Sequence, residues 1–273
     1  MRRPIPFTVE KNRVLVPVGK PCVFGCRYCY TRGRDIGLMR VRPEDILSDL
    51  QNFARETPFE TIQFGYDSDP FSQPERGLDM LKQLALLHKH VNFSTKALVD
   101  GAILESLATI HRWMEQAQLK LSALVSLSCW QSAPIVEPHT PSPCERMRTV
   151  ANLKSIGVPT FIAIRPILPH IHDSEYERIA EEGILAGCDG FILGPLYSDE
   201  ARRFVRFIPP AFLATLPRRT GRVSWSPHAP IWTRFEDTDR LQRLVTMIER
   251  RGGRTFLSSA DAVSCVQQKE PVA

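Results

Sequence analysis

Short apolar runs and longer amphipathic stretches alternate along the first two hundred residues of this chain. Runs rich in Val, Ile, Phe and Leu fall at Val14 to Val18, Thr61 to Gly65, Val91 to Thr95, Ser122 to Leu127, Thr160 to Ile164 and Gly190 to Leu193, and each has the length of a buried strand. Between them, approximate 3.6-residue spacing of apolar positions predicts helices over Pro43 to Glu56, Glu75 to His90, Asp100 to Gln116, Pro143 to Ile156 and Asp173 to Gly187. Pro43 with Glu44 and Asp45, and Ser142-Pro143 with Glu145, carry helix-opening chemistry; Gly157 and Gly187 suit helix stops.

Strand and helix alternating in this way is the mark of right-handed βαβ units on a parallel sheet. Six units fall short of the eight of a closed barrel. The expected fold is therefore α/β, a partial (β/α)6 barrel of TIM type, with function at the C-terminal strand ends and in the loops after them. Beyond about residue 197, Pro209-Pro210, Pro217, Pro227 and Pro230 interrupt the pattern before a last helix, Thr238 to Arg251. The predicted division is a core over residues 1–200 and an Arg-rich C-terminal extension over 201–273 that caps the barrel mouth.

A chain of 273 residues with 43% hydrophobic and 24% charged content can fill one sizeable core and is not of disordered or fibrous type. The opening MRRPIPFTVEKNRVLVPVG has no apolar run of signal-peptide length, and no segment approaches the ~20 apolar residues of a membrane span. A cytoplasmic protein without membrane partners is expected. The net charge of +5 is unevenly spread: Glu200 to Arg254 holds twelve arginines, no lysine and five acids, a surplus of seven positive charges. Clusters such as Arg202, Arg203, Arg206 and Arg218, Arg219, Arg222 either meet phosphates or form a solvated basic face.

Seven cysteines is an odd number, and three of them crowd into eight residues, which points to thiol or metal chemistry rather than a disulfide framework. The segment Cys22-Val-Phe-Gly-Cys26-Arg-Tyr-Cys29-Tyr30 reads C-x3-C-x2-C in the loop after the first strand. Thiolates so spaced can ligate three irons of a [4Fe-4S] cubane and leave the fourth open to an exchangeable ligand. Structural zinc or a ferredoxin-type site needs a fourth ligand that no nearby Cys or His pair supplies. His139, His170, His172 and His228 receive no chemistry, and no P-loop, nucleophile elbow or dinucleotide fingerprint is present.

Placed after the first strand of a six-unit β/α pattern, C-x3-C-x-aromatic-C resembles the radical S-adenosylmethionine (SAM) superfamily over about residues 12–200. A finer likeness is to its spore photoproduct lyase-like group, carried by Tyr28-Cys29-Tyr30, Gly65-Tyr66-Asp67-Ser68-Asp69-Pro70-Phe71 with Pro74-Glu75, Ser94-Thr95-Lys96, and Glu137-Pro138 followed by Pro141-Ser142-Pro143 with Glu145-Arg146. The resemblance implies a radical SAM enzyme of lyase or transferase type. It would bind a [4Fe-4S] cluster on Cys22, Cys26 and Cys29, use SAM, and draw electrons from a donor such as flavodoxin or ferredoxin. It implies backbone contacts to the methionine amino group from Gly65 and Tyr66, and roles toward SAM for Asp67, Lys96 and Ser126.

Asp67 and Asp69 equally suit helix capping, and Arg165, in a segment similar to one lining the adenosine, equally suits a substrate phosphate. Tyrosines at positions 28 and 30 are implicated in hydrogen-atom transfer in the lyase group; packing against cluster or adenine is the plainer role, favoured for Tyr28 and left open for Tyr30. The sequence departs from the lyase where a hydrogen-donating cysteine would follow the second strand. Cys129 is the other cysteine expected near the mouth, as a donor or as an inert buried thiol. A nucleotide or nucleic-acid component is the first expectation for the substrate. A tailoring reaction on a small nucleoside, sugar or peptide, and a non-catalytic metal-binding nucleic-acid module, are the alternatives.

Overall fold

The computed structural model describes residues 6–19, 22–31, 42–226 and 231–267. Six parallel strands carry the frame: β2 (Arg13–Val16), β3 (Thr61–Phe64), β4 (His90–Thr95), β5 (Leu121–Ser126), β6 (Thr160–Ile164) and β7 (Gly190–Leu193). They pair in chain order, with Val14 opposite Ile62, Phe64 opposite Phe93, and Ile162 opposite Phe191. The short β1 (Thr8–Glu10) adds antiparallel to β2, and β11 (Thr255–Phe256) adds parallel to β7, giving the sheet order β1-β2-β3-β4-β5-β6-β7-β11. All six expected strands are present within a residue or two, and the fold is the partial barrel read from the sequence.

Side chains alternate across a strand, so each strand serves two faces. Val14, Val16, Ile62, Phe64, Val91, Phe93, Ile162 and Ile164 pack in the main core with the helices. Leu15, Gln63, Ser94, Leu124, Ser126, Ala163 and Ile192 point the other way, into the barrel lumen. The outer helices are α1 (Pro43–Glu56), α2 (Pro74–Ala85), α3 (Gly101–Gln116), α5 (Pro143–Ser155) and α6 (Asp173–Leu185), with the single-turn α4 (Ala133–Val136) ahead of α5. The Ser142 hydroxyl accepts from the Glu145 amide while Glu145 returns a bond to the Ser142 amide, a capping box that starts α5 where the sequence places it. Helix α2 stops at Ala85, earlier than the expected His90, because His90 opens β4 opposite Thr61.

After β7 the chain builds a second sheet of β8 (Leu196–Ser198), β9 (Arg218–Arg222) and β10 (Ile231–Phe235), antiparallel in the order β8-β10-β9, with α7 (Pro210–Ala214) ahead of β9. Helix α8 (Thr238–Arg250) follows, then β11 and α9 (Ser259–Gln267). Helix α9 lies against the lumen: Ala262 and Val266 pack on Leu124, Phe161, Ala163 and Ile192. From α9, Ser259 accepts from Arg13 Nη1 at 2.9 Å and Gln267 donates to Thr61 Oγ1 at 2.9 Å. It thus touches inward-facing positions of β2, β3, β5, β6 and β7.

Several of the clustered arginines serve the fold. Arg240 is buried, paired with Asp173 at 2.7 Å and donating to the Leu168 and Ile171 carbonyls. Arg203 pairs with Asp199 at 2.6 Å, and Arg251 reaches Glu177 and Glu181. Arg202, Arg206, Arg218, Arg219 and Arg222 are exposed. Pro227, His228 and Pro230 lie outside the described residues.

Candidate active site

A cavity of about 360 Å³ opens at the C-terminal ends of the parallel strands, within the size range of small-molecule sites. Cys22, Cys26 and Cys29 line one side of it. Their loop is pinned by backbone bonds: Cys29 N to Cys26 O at 3.1 Å, Arg27 N to Val136 O at 2.9 Å and His139 N to Phe24 O at 3.3 Å. Gly25 turns at φ +64, a conformation that favours glycine, and a Cβ there would stand 3.0 Å from the His139 ring. The Phe24 amide already donates toward Cys22 Sγ at 3.5 Å.

Among the described residues no group of three His, Cys, Asp or Glu side chains converges on one metal ion. Three cysteines of a cubane each bind a different iron, so such a site needs no single meeting point of the three. Burial pushes the Cys26 thiol up to about 12 and raises Cys22 as well, so a bound metal would have to hold them as thiolates. The three cysteines and the open cavity before them fit a [4Fe-4S] cluster with one free iron.

Gly65, Tyr66 and Asp67 follow β3 on the cavity wall. Gly65 sits at φ +77, and a Cβ there would come 2.7 Å from Pro70 Cδ and 3.1 Å from the carbonyls of Ser68 and Ser94. Asp67 accepts from the Val18 amide at 3.2 Å, tying this loop to the strand end before the cysteines. Asp69 is buried; it caps Phe71 N at 2.9 Å, accepts from Thr95 Oγ1 at 3.0 Å and takes the Lys96 amide. Burial raises its pKa against the pull of those donors.

A buried polar network stands beside the cysteines. Lys96 Nζ donates to Ser126 Oγ at 2.7 Å, Glu137 Oε1 at 2.9 Å and the Tyr28 hydroxyl oxygen at 3.0 Å, which uses all three of its donors. Tyr28 donates to Glu137 and receives Ser128 Oγ at 2.9 Å. Arg146 Nη1 reaches Glu137 Oε2 at 2.6 Å and the Ser126 carbonyl at 3.0 Å. Burial alone would raise the Glu137 carboxyl, but Arg146 and Lys96 outweigh it and hold the group down at about 2.

Tyr30, Tyr197 and Trp225 form an aromatic wall of the cavity, with Trp225 at 4.8 Å from Tyr30 and 5.6 Å from Tyr197 between ring centroids. The Tyr30 hydroxyl donates to the Tyr66 carbonyl. Arg165, Arg13 and Glu10 also face the cavity. Of the residues singled out in the sequence, Cys22, Cys26, Cys29, Tyr30, Gly65, Tyr66, Asp67, Lys96, Ser126 and Arg165 line this one space. Cys129 does not; it is fully buried in the core, and burial raises its thiol pKa further than that of Cys26. Sequence reasoning passed over Glu137 and Arg146 as site residues and missed Tyr197 and Trp225. The available signal was Glu137 directly after the apolar Ala133-Pro134-Ile135-Val136.

Fold and site define a partial-barrel protein that carries a three-cysteine loop at the mouth of a ligand cavity. A profile described as the radical SAM superfamily matches residues 16–183. The chain belongs to the radical SAM superfamily, whose cofactors are a [4Fe-4S] cluster and SAM. A spore photoproduct lyase variant with bound AdoMet and dinucleoside spore photoproduct superposes with a TM-score of 0.66 at 16% identity, covering 94% of this chain and 81% of that one. SuiB of Streptococcus suis bound to S-adenosylmethionine gives a TM-score of 0.59 at 13% identity, covering 95% and 53%. Among curated proteins, uncharacterized proteins of Mycobacterium tuberculosis and Mycobacterium bovis are 21% identical over 166 residues, 56% of this chain and 49% of theirs. The chain thus spans about half the length of these relatives. No helix among the described residues is long and apolar enough to cross a membrane.

Proposed function

We propose that this protein reductively cleaves SAM at a cluster held by Cys22, Cys26 and Cys29, and abstracts a hydrogen atom from an organic substrate, a nucleotide or nucleic-acid component. The observation that carries this reading is the meeting of the three cysteines with Gly65, Tyr66, Asp67, Lys96 and Ser126 around one cavity. When bound, the cluster supplies the electron that splits SAM into methionine and a 5'-deoxyadenosyl radical. A one-electron donor such as flavodoxin or ferredoxin would feed it.

The chain's own residues prepare the space. Lys96, held by Glu137, keeps a positive charge on the wall where a carboxylate would lie. Carbonyls at the bend of Gly65 and Tyr66 offer acceptors for an ammonium group. Tyr30 is the proposed hydrogen-atom relay, because it lines the cavity directly after Cys29. Cys129 is the weaker candidate, being sealed in the core away from the cavity lining.

The presence of Tyr197 and Trp225 in the cavity lining favours a second reading, a tailoring enzyme acting on a small nucleoside, sugar or peptide. Anaerobic reconstitution followed by reduction with SAM should yield 5'-deoxyadenosine. A well-formed cluster that yields none defeats both readings and leaves a non-catalytic metal module. Product analysis with nucleosides and oligonucleotides separates the first from the second.

A further inference from the structure

Arg165 directly follows β6 and lines the cavity. Its side chain lies so close over Gly194 that a Cβ there would stand 2.4 Å from Nε, so the backbone of residue 194 must stay bare for this path. The side chain is partly buried and contributes to the lining of the cavity. Burial pulls its pKa down, and the charge of Arg13 pulls in the same direction.

No carboxylate or carbonyl among the described residues answers this charge. Glu10, the acid nearest to it in effect, is already taken: Arg13 Nη2 lies 2.6 Å from its Oε2, and its other oxygen receives the Ser224 hydroxyl. Arginine does not give up its proton in proteins, so the group stays charged. A partly buried cation without a partner is costly, and the cavity it lines is where a counter-charge can come from. The aromatic wall of Tyr30, Trp225 and Tyr197 borders the same space.

We infer that Arg165 anchors an anionic group of the substrate, a carboxylate or a phosphate, and that a planar ring of the same molecule lies against Trp225 and Tyr197. The inference rests on the enzyme reading above and narrows its substrate class. A guanidinium suits either anion because its two parallel N–H donors match two oxygens at once. The aromatic wall supplies the apolar face for the ring.

The test is equilibrium dialysis of anaerobic, SAM-loaded holoenzyme against two matched pairs of probes, uridine 5'-monophosphate with uridine and benzoate with benzamide. In the wild type, at least one anionic probe should bind about tenfold or more tightly than its neutral partner. Arg165→Gln should bring that ratio close to one, and Arg165→Lys, which keeps the charge and loses the fork, should fall between. Trp225→Leu should weaken both members of a pair alike and leave the ratio standing. No discrimination in the wild type overturns the inference, as does an unchanged ratio in Arg165→Gln. A loss of SAM affinity in Arg165→Gln with the ratio intact gives the guanidinium to the cofactor and also overturns it. Formation of 5'-deoxyadenosine is scored separately on the wild type. Its absence defeats the enzyme reading, whereas its presence without charge discrimination defeats only the anion anchor.

Discussion

Lys96 Nζ and Glu137 Oε1 lie 2.9 Å apart on the cysteine side of the cavity, the lysine side chain 14% exposed and the glutamate wholly buried. Glu137 also holds Arg146, so one carboxylate answers two cations in the core. Glu137→Ala leaves both cations unpaired and should destabilise the fold by about 3–5 kcal/mol, read as a lowered urea midpoint with an unchanged slope.

The same carboxylate sets an acid limit. Its folded pKa of about 2 lies below the ordinary carboxylate value of 4.5, so its contribution is complete above about pH 4.5 and drains away as pH falls toward 2. The stability involved is on the order of 3 kcal/mol. Chemical denaturation at stepped pH should show this loss in the wild type, and Glu137→Gln should flatten that part of the profile.

Each of Cys22→Ala, Cys26→Ala and Cys29→Ala removes a proposed iron ligand. All three variants should lose most of the cluster's visible absorption and cluster-bound iron after reconstitution, and 5'-deoxyadenosine with it. Cys129→Ala should keep the absorption, since that thiol is not among the groups lining the cavity.

Gly65→Ala meets both a strained backbone region and a 2.7 Å contact with Pro70. A cost of about 1–3 kcal/mol in stability is expected. SAM affinity, measured by dialysis, should fall by more than that of a control substitution at the exposed Gly221, where an added Cβ meets nothing within 4 Å.

What the sequence disclosed follows from what local periodicity can carry. The strands β2 to β7 were legible because each is a short run rich in Val, Ile, Phe or Leu, and Gly65, Lys96, Ser126 and Arg165 became site candidates because the family resemblance gives them roles at positions at or near strand ends. The two-residue β11 and the five-residue β9, with three arginines and every position exposed, carry no strand pattern to read. Glu137 and Arg146 meet across the turn between α4 and α5, a contact that no repeat in the chain announces. Tyr197 lines the cavity from β8, and Trp225 from the segment after β9, the latter a long-range approach that no local pattern announces.

Substituting Ala262→Asp would place a charge among Leu124, Phe161 and Ile192. The expected loss is several kcal/mol, visible as a thermal transition shifted well below the wild type. Leu124 and Ile192 also line the cavity, so ligand affinity should suffer at temperatures where the fold survives.

The position of α9 has a bearing on the order of folding. The Arg13 to Ser259 bond joins residues 246 apart, and the Gln267 to Thr61 bond joins residues 206 apart. During synthesis the six parallel strands emerge well before the helix that covers their inner face, so the nascent lumen stays wet and its apolar lining open to wrong partners. Cluster assembly on the cysteine loop can therefore precede completion of the floor beneath it, whereas a finished ligand chamber waits for α9 to arrive.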